Sequence, residues 1–334
     1  MIITRTPFRI SFFGGGTDYP TWFREHGGAV LGTTIDKYCY ISLRELPPFF
    51  EHRHKIVYSR VETVQTLEEI QHPAVRAVLG EFKLPVGLEI HHDADLPARS
   101  GLGSSSAFTV GLISALRALE GRMSSAEHLA REAIRIEQEV IGENVGSQDQ
   151  VWAAYGGTNL IEFHRDGSFA VTPVIMPTAR RLELQSHLML FFTGFSRIAS
   201  EIAGKKIQNL LARERQLMAM RRMVDDGLAI LQDNSRPIAE IGRLLHEGWT
   251  MKRELADNVS TSAIDEIYAA ARAAGAIGGK LLGAGGGGFM LFFAEPDRQP
   301  AVRAALKGLV EVACRIGSPG SRVVVYEPNG LSAG

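Results

Sequence analysis

Residues 101–108 read GLGSSSAF. Two glycines and three consecutive serines stand directly before a long apolar segment. Serine-rich stretches usually belong to linkers. Here Phe108, Leu112, Ala115, Leu116 and Leu119 follow at helical spacing, so a buried helix over 104–120 is expected to begin at the serines. Gly121 suits its end. A glycine loop that opens a helix leaves backbone N–H groups unpaired at the positive end of the macrodipole, which is an anion site. A single serine would serve as an N-cap. Three serines behind two glycines fit phosphate cradling better, with capping as the alternative.

The rest of the composition is that of an ordinary globular chain. It has 334 residues, 45% hydrophobic and 22% charged, long enough for two domains. The formal net charge of −1 gives no global basic field for nucleic acid or an anionic membrane. Cys39 and Cys314 lie far apart without metal-type spacing, as expected of reduced thiols in a cytoplasmic protein. MIITRTPFRI lacks the apolar core of a signal peptide, and no apolar run is long enough to span a bilayer. Both monomer and homodimer remain open.

Strand and helix patterns interleave without a regular βαβ period, which predicts an α+β fold in two domains, 1–170 and 171–334, with a cleft between them. Strands are expected at Phe8–Phe13, Ala29–Ile35, Tyr38–Leu43, Lys55–Ser59 and Val86–His91, and a helix over 125–141 behind an S-x-x-E capping box at Ser124 and Glu127. The second block reads as strands near 169–175 and 187–193, helices near 198–232, 237–256 and 262–274, a strand near 288–293, a helix near 299–315 and a strand at 321–326.

Several residues could carry chemistry. Glu137 falls within the apolar row Ala130, Ile134, Ile141, so its carboxylate faces inward. It is either salt-bridged at an edge or a hard oxygen ligand for Mg²⁺. Asp149, in GSQDQVWAAYGG, is either a turn cap or a carboxylate able to accept a hydroxyl proton. FFGGGTDY, residues 12–19, ends a strand in three glycines, which let a ligand approach the backbone. Thr17 and Asp18 would supply the donors and acceptors a polyol needs, and Arg9 on the preceding strand could face the same cleft or solvent.

KLLGAGGGGFMLFF, residues 280–293, contains a formal G-x-G-x-x-G at Gly283, Gly285 and Gly288. It precedes a strand instead of following one, so a dinucleotide fold, and with it an NAD-dependent oxidoreductase, fails on context. No G-x-x-x-x-G-K-[ST] occurs. A loop at a ligand is the better reading, with a structural bend as the alternative. Lys252 falls on the inner row of its helix with Ile241 and Leu245, where it either snorkels or faces the cleft.

TPFRISFFGGGTDY, LPARSGLGSSSAF and KLLGAGGGGFMLFF, in this order, resemble the three motifs of the GHMP small-molecule kinases. The resemblance runs from about residue 5 to 293 and is most specific in the central motif. Within the family, GGGTDY, the IE…G-x-QDQ-x-x-A-x-x-GG run and GAGGGGF are most similar to the bacterial D-glycero-D-manno-heptose 7-phosphate kinases.

The resemblance implies an N-terminal ribosomal-protein-S5-like domain and a C-terminal ferredoxin-like domain. It implies ATP and Mg²⁺ as cofactors and a sugar phosphate as substrate, phosphorylated at its anomeric hydroxyl to the 1,7-bisphosphate. The product would serve nucleotide-activated heptose synthesis for surface polysaccharide. Pro97, Arg99, Ser100, Gly101, Leu102, Gly103, Ser104, Ser105 and Ser106 would wrap the nucleotide phosphates. Ser105, with Ser104 as substitute, and Glu137 would hold the metal. Asp149 would be the catalytic base, supported by Arg9.

Gly14, Gly15, Gly16, Thr17, Asp18, Gly285 and Gly286 would line the sugar site. Galactokinases carry Glu-His where Gly15 and Gly16 stand here, so a bulkier substrate than galactose is implied. Its distal phosphate would need cations, and Arg197, Lys252 and Lys280 are the candidates. A kinase for fucose or another neutral sugar, and an inactive sugar sensor of the same fold, are the alternatives.

Overall fold

The computed structural model describes residues 1–194, 213–255 and 259–328. Two long strands, β1 (Ile2–Phe13) and β2 (Gly28–Glu45), pair antiparallel and form the spine of the first sheet. The second half of β1 is buried at every residue, because helices and the second lobe cover both faces. The chain between Ile35 and Tyr38 looked like a break between two strands. It is a register shift within β2, opposite the shift between Pro7 and Arg9 on β1. Pro7 has no N–H to give the ladder, and the pairing slips just before Arg9.

β2 serves two sets of partners. Its first half pairs with β6 (Thr158–Phe163), and its second half with β5 (Leu88–Ala94). β3 (His54–Val57) runs parallel to β5 and antiparallel to β4 (Val61–Val64). β7 (Phe169–Pro173), read from sequence as part of the second block, pairs with β6. Near the end of the described chain, β12 (Arg322–Tyr326) pairs with β1. The first sheet therefore takes strands from both sides of the second lobe in sequence.

The helices packed within this lobe include α1 (Pro20–His26), α2 (Pro73–Phe82), α3 (Ser104–Leu119), α4 (Ala126–Arg135) and α5 (Gln148–Tyr155). α3 is buried all round from Ser106 to Leu116, as expected of a central helix. Gly111 lets it down onto β1. A Cβ there would lie 2.9 Å from Thr6 Oγ1, and Thr4 Oγ1 donates to the Gly111 carbonyl at 2.9 Å. The cap of α4 is Ser125, which accepts from His128 N–H at 3.1 Å; the capping box expected from Ser124 does not form.

The second sheet is antiparallel, in the order β11 (Val310–Glu311), β8 (Leu188–Phe192), β10 (Phe289–Phe293), β9 (Gly278–Leu281). β10 is wholly buried. Helices α7 (Glu214–Gln232), α8 (Ala239–Arg253) and α9 (Ser262–Ala273) accompany it, after α6 (Thr178–His187). The helix expected over 299–315 stops at Ala305 (α10, Gln299–Ala305), and the chain continues into β11. Among the described residues, no helix is long and apolar enough to cross a membrane.

Candidate active site

The helix expected over 125–141 changes character at its end. Ile136–Val140 form a π-helical turn, closed by Ile141 N–H to the Ile136 carbonyl at 2.9 Å. Such turns rotate side chains off the α-helical rows. Glu137 lies on this one and is 1% exposed. Its Oε2 accepts from Ser106 Oγ at 2.8 Å and from Gln150 Nε2, while Oε1 has no partner among the described residues. Burial pushes its carboxyl up to about 7, against the opposing hydrogen bonds.

Glu137 meets the cleft through Ser106, while Ser105 is exposed in the cleft lining. An unpartnered carboxylate oxygen beside hydroxyls is a donor set that a hard divalent cation takes. Among the described residues, no group of three or more His, Cys, Asp or Glu is placed to hold a metal ion.

Before α3 the chain turns through Arg99, Gly101 and Gly103, all with positive φ. Gly103 is the N-cap and provides no side-chain cap, so the first-turn N–H groups stay open to a ligand. Ser104 Oγ instead accepts from Arg99 N–H at 3.1 Å and braces the loop. The loop packs at backbone distance on the second lobe. A Cβ on Gly101 would meet the Leu282 carbonyl oxygen at 2.5 Å, and one on Gly288 the Ser100 carbonyl oxygen at 2.3 Å.

Arg9 holds this loop to the catalytic candidate. Its Nε donates to Asp149 Oδ1 at 2.8 Å and Nη2 to Oδ2 at 2.7 Å, while Nη1 donates to the Gly101 carbonyl at 2.6 Å. The two-pronged bond fixes the carboxylate plane. Arg9 is 5% exposed and Asp149 26%, so the carboxylate is the partner that reaches the cleft. Asp149 lies in the first turn of α5 (Gln148–Tyr155).

Asp18 is 2% exposed, and its Oδ1 accepts from Gly16 N–H at 2.9 Å. Ser147 N–H donates to the Asp18 carbonyl at 2.9 Å, tying the GGGTDY loop to the start of α5. Tyr19 beside it is kept a neutral phenol by burial and by the charges of Asp18 and Asp149. Two buried lysines line the same cleft. Lys252 Nζ donates to the Leu281 and Gly283 carbonyls at 2.8 and 2.6 Å. Lys280 Nζ donates to the Ser11 and Phe12 carbonyls at 3.0 and 2.9 Å.

One cleft thus gathers Arg9, Gly15, Gly16, Asp18, Arg99, Gly101, Gly103, Ser104, Ser105, Ser106, Asp149, Lys252 and Lys280. It does not gather every residue the sequence suggested. Gly14 has φ +83, and a Cβ on it would sit 2.0 Å from the Ala29 carbonyl oxygen, so this glycine serves packing on β2. Thr17 is fully buried and bonded to Ala29. Pro97 is exposed outside the cleft, and Ser100 and Leu102 are buried beneath the loop.

Gly285 and Gly286 pack against Val259, leaving Gly283 and Ala284 to line the cleft. Arg197 lies outside the described residues. Ser11, Tyr19, Asn144, Val145, Gly146 and Gln148 line the cleft without having been singled out. Gly146 carried a legible signal in its motif: a Cβ there would fall 1.9 Å from Asp18 Oδ2.

Residues 66–157 match the family model of the GHMP kinases N terminal domain, and residues 229–311 that of the GHMP kinases C terminal domain. The chain is 30% identical over 316 residues to D-glycero-alpha-D-manno-heptose 7-phosphate kinase of Campylobacter jejuni, covering 92% of this chain and 93% of that one. The chain belongs to the GHMP kinases.

It is 27% identical over 323 residues to the bifunctional fucokinase/GDP-fucose pyrophosphorylase of Arabidopsis thaliana, covering 86% of this chain and 29% of that protein. A crystal structure of a D-glycero-D-manno-heptose 1-phosphate kinase from "Bacteriodes thetaiotaomicron" superimposes with a TM-score of 0.71 at 26% identity, over 98% of this chain and 100% of that one. The α+β fold is that of a GHMP kinase, and the activity is that of an ATP-dependent sugar kinase.

Proposed function

We propose that the chain transfers the γ-phosphoryl group of ATP to the anomeric hydroxyl of D-glycero-D-manno-heptose 7-phosphate. The observation that supports this most is the Arg9–Asp149 fork, set between the Gly101–Ser106 loop and two buried lysines in one cleft. The loop N–H groups receive the nucleotide phosphates. Asp149 accepts a hydrogen bond from the sugar hydroxyl, orients its oxygen on the γ-phosphorus and takes its proton as the new O–P bond forms and the bond to the ADP oxygen breaks.

Phosphoryl transfer has a loose transition state, so orientation and charge neutralisation outweigh prior deprotonation. Glu137 and Ser106 would hold Mg²⁺ on the loop side, where the ion neutralises phosphate charge. Asp18 takes sugar hydroxyls.

The 7-phosphate is assigned to Lys252 and Lys280. Both are buried, and a buried dianion requires cations. Losing one such contact in Lys252→Met is expected to lower kcat/KM about 10–150-fold for phosphorylated sugar, with the unphosphorylated heptose unaffected. The two unpaired cysteines suit a cytoplasmic reaction, and the product suits nucleotide-activated heptose synthesis for surface polysaccharide.

The test is ADP release over a panel of heptose 7-phosphate, mannose, mannose 6-phosphate, galactose and fucose, with the product's phosphorus resonances assigning the site of transfer. A new anomeric phosphate on heptose 7-phosphate supports the reading. Equal or better turnover of fucose or another neutral sugar would replace it with a neutral-sugar kinase, the reading favoured by the fucokinase relative.

A further inference from the structure

Two polar side chains in the cleft have no part in the mechanism above. Ser11, on β1, is 7% exposed, and Gln148, the first residue of α5, is 9% exposed. Ser11 Oγ and Gln148 Oε1 have no hydrogen-bond partner among the described residues, although both side chains line the cleft. Buried polar atoms are costly to leave unpaired, so such a pair in a ligand cleft points to a ligand that completes it. An amide and a hydroxyl are also the groups that pair with neutral hydroxyls.

Gly15 lies between them. A Cβ on Gly15 would stand 3.8 Å from Gln148 Nε2 and 3.9 Å from Ser11 Oγ, at ordinary contact distances. Its neighbours Gly14 and Gly16 have positive φ, 83° and 111°, whereas Gly15 does not. The backbone therefore admits a side chain at 15, and what glycine contributes there is space between the Ser11 hydroxyl and the Gln148 amide. Both walls of that space are held. Lys280 bonds the Ser11 carbonyl, and Ser147 N–H bonds the Asp18 carbonyl immediately before Gln148.

We infer that Ser11 and Gln148 form a hydroxyl-reading pair that selects the sugar, with Gly15 keeping the gap open for a ring hydroxyl. This deepens the sugar-kinase reading and rests on it. The pair contributes to specificity, apart from the transfer step at Asp149. A site built to bond a hydroxyl discriminates strongly against the analogue that lacks it.

The test crosses enzyme variants with substrate deletions. Wild type, Ser11→Ala and Gln148→Met are assayed with heptose 7-phosphate and its 2-deoxy, 3-deoxy and 4-deoxy analogues. One deoxy analogue should lose about 10–100-fold in kcat/KM with wild type and under about threefold with Gln148→Met, because the variant no longer reads that hydroxyl. Gly15→Ala should raise the sugar KM about tenfold or more while the ATP KM and the melting temperature hold.

If every deoxy analogue loses as much with the variants as with wild type, the pair is overturned while the kinase reading stands. If wild type ignores heptose 7-phosphate and turns over another sugar, the substrate proposal falls alone, and the same cross on that sugar's deoxy series decides the pair. If no sugar is turned over, both fall.

Discussion

At the scale of single residues, the cleft works by restraining side chains that would otherwise rotate. Asp149 is held by both oxygens to one guanidinium, and that guanidinium also grips the loop before α3 at Gly101. The proposed base and the proposed nucleotide loop therefore share one anchor. In Asp149→Asn, kcat should fall about 10²–10⁴-fold while nucleotide affinity changes little, because the loop N–H groups are untouched. Single-turnover kinetics with a nucleotide titration would check this, and a near-normal kcat would remove Asp149 from the mechanism. Glu137 poses a different question. Its Oε1 is buried and unpartnered. Glu137→Gln keeps the shape and removes the charge, so the Mg²⁺ concentration for half-maximal rate should rise several-fold. A folded variant with unchanged Mg²⁺ dependence would leave Glu137 a structural partner of Ser106 and Gln150.

At the scale of elements, the first lobe contains an ion cluster that ties three strands away from the cleft. Glu89 on β5 stands opposite Arg44 on β2 and Lys55 on β3. It accepts from Arg44 Nε at 2.7 Å and lies 2.9 Å from Lys55 Nζ and from His91 Nε2. Burial pushes its carboxyl up, but the bonds from Lys55, His91 and Arg44 outweigh this and hold it at about 2, against an ordinary 4.5. A depressed carboxylate stabilises the fold above its unfolded value and loses that contribution as pH falls through the folded one. Glu89→Gln should thus be less stable by about 1–2 kcal/mol at pH 7, the part-exposed partners limiting the figure. The gap should close between pH 4.5 and 2. Urea unfolding across that range measures it, and a pH-independent gap would assign the loss to packing. None of this cluster was legible in the sequence, because Glu89, Arg44 and Lys55 are brought together by strand register alone. The helix from the serines was legible, since its apolar spacing and glycine entry are local. The expected break at Asp36 was in fact a register shift, which requires knowing the partner strand.

At the scale of the molecule, the two lobes meet at glycines. The loop before α3 and the loop 282–288 touch backbone to backbone, with Phe289 N–H donating to the Ser100 carbonyl at 3.1 Å. The sequence announced both loops by composition but could not show that each exists partly to admit the other. It also placed Gly285 and Gly286 at the substrate, whereas their own lobe uses them against Val259. This contact can be tested with a pair of glycines at the two ends of α3. Gly101 has φ +82, and a Cβ on it would lie 2.5 Å from the Leu282 carbonyl oxygen. Gly121 has φ +70 and nothing within 4 Å of the same position. Alanine at either site meets the left-handed backbone cost of about 1 kcal/mol. At Gly101 it also forces the 101–106 loop off the Leu282 carbonyl and so shifts the Gly101 carbonyl that Arg9 holds. Gly121→Ala should therefore lower the melting temperature by a few degrees with kinetics unchanged. Gly101→Ala should lower it further and raise the ATP KM about tenfold or more, with kcat falling as the Arg9–Asp149 fork loses its third contact. Faster amide exchange in both loops of Gly101→Ala, and in neither loop of Gly121→Ala, would locate the effect at the junction. Equal kinetic behaviour in the two variants would show that the lobes transmit nothing through these glycines, and that the loop holds its shape without the second lobe.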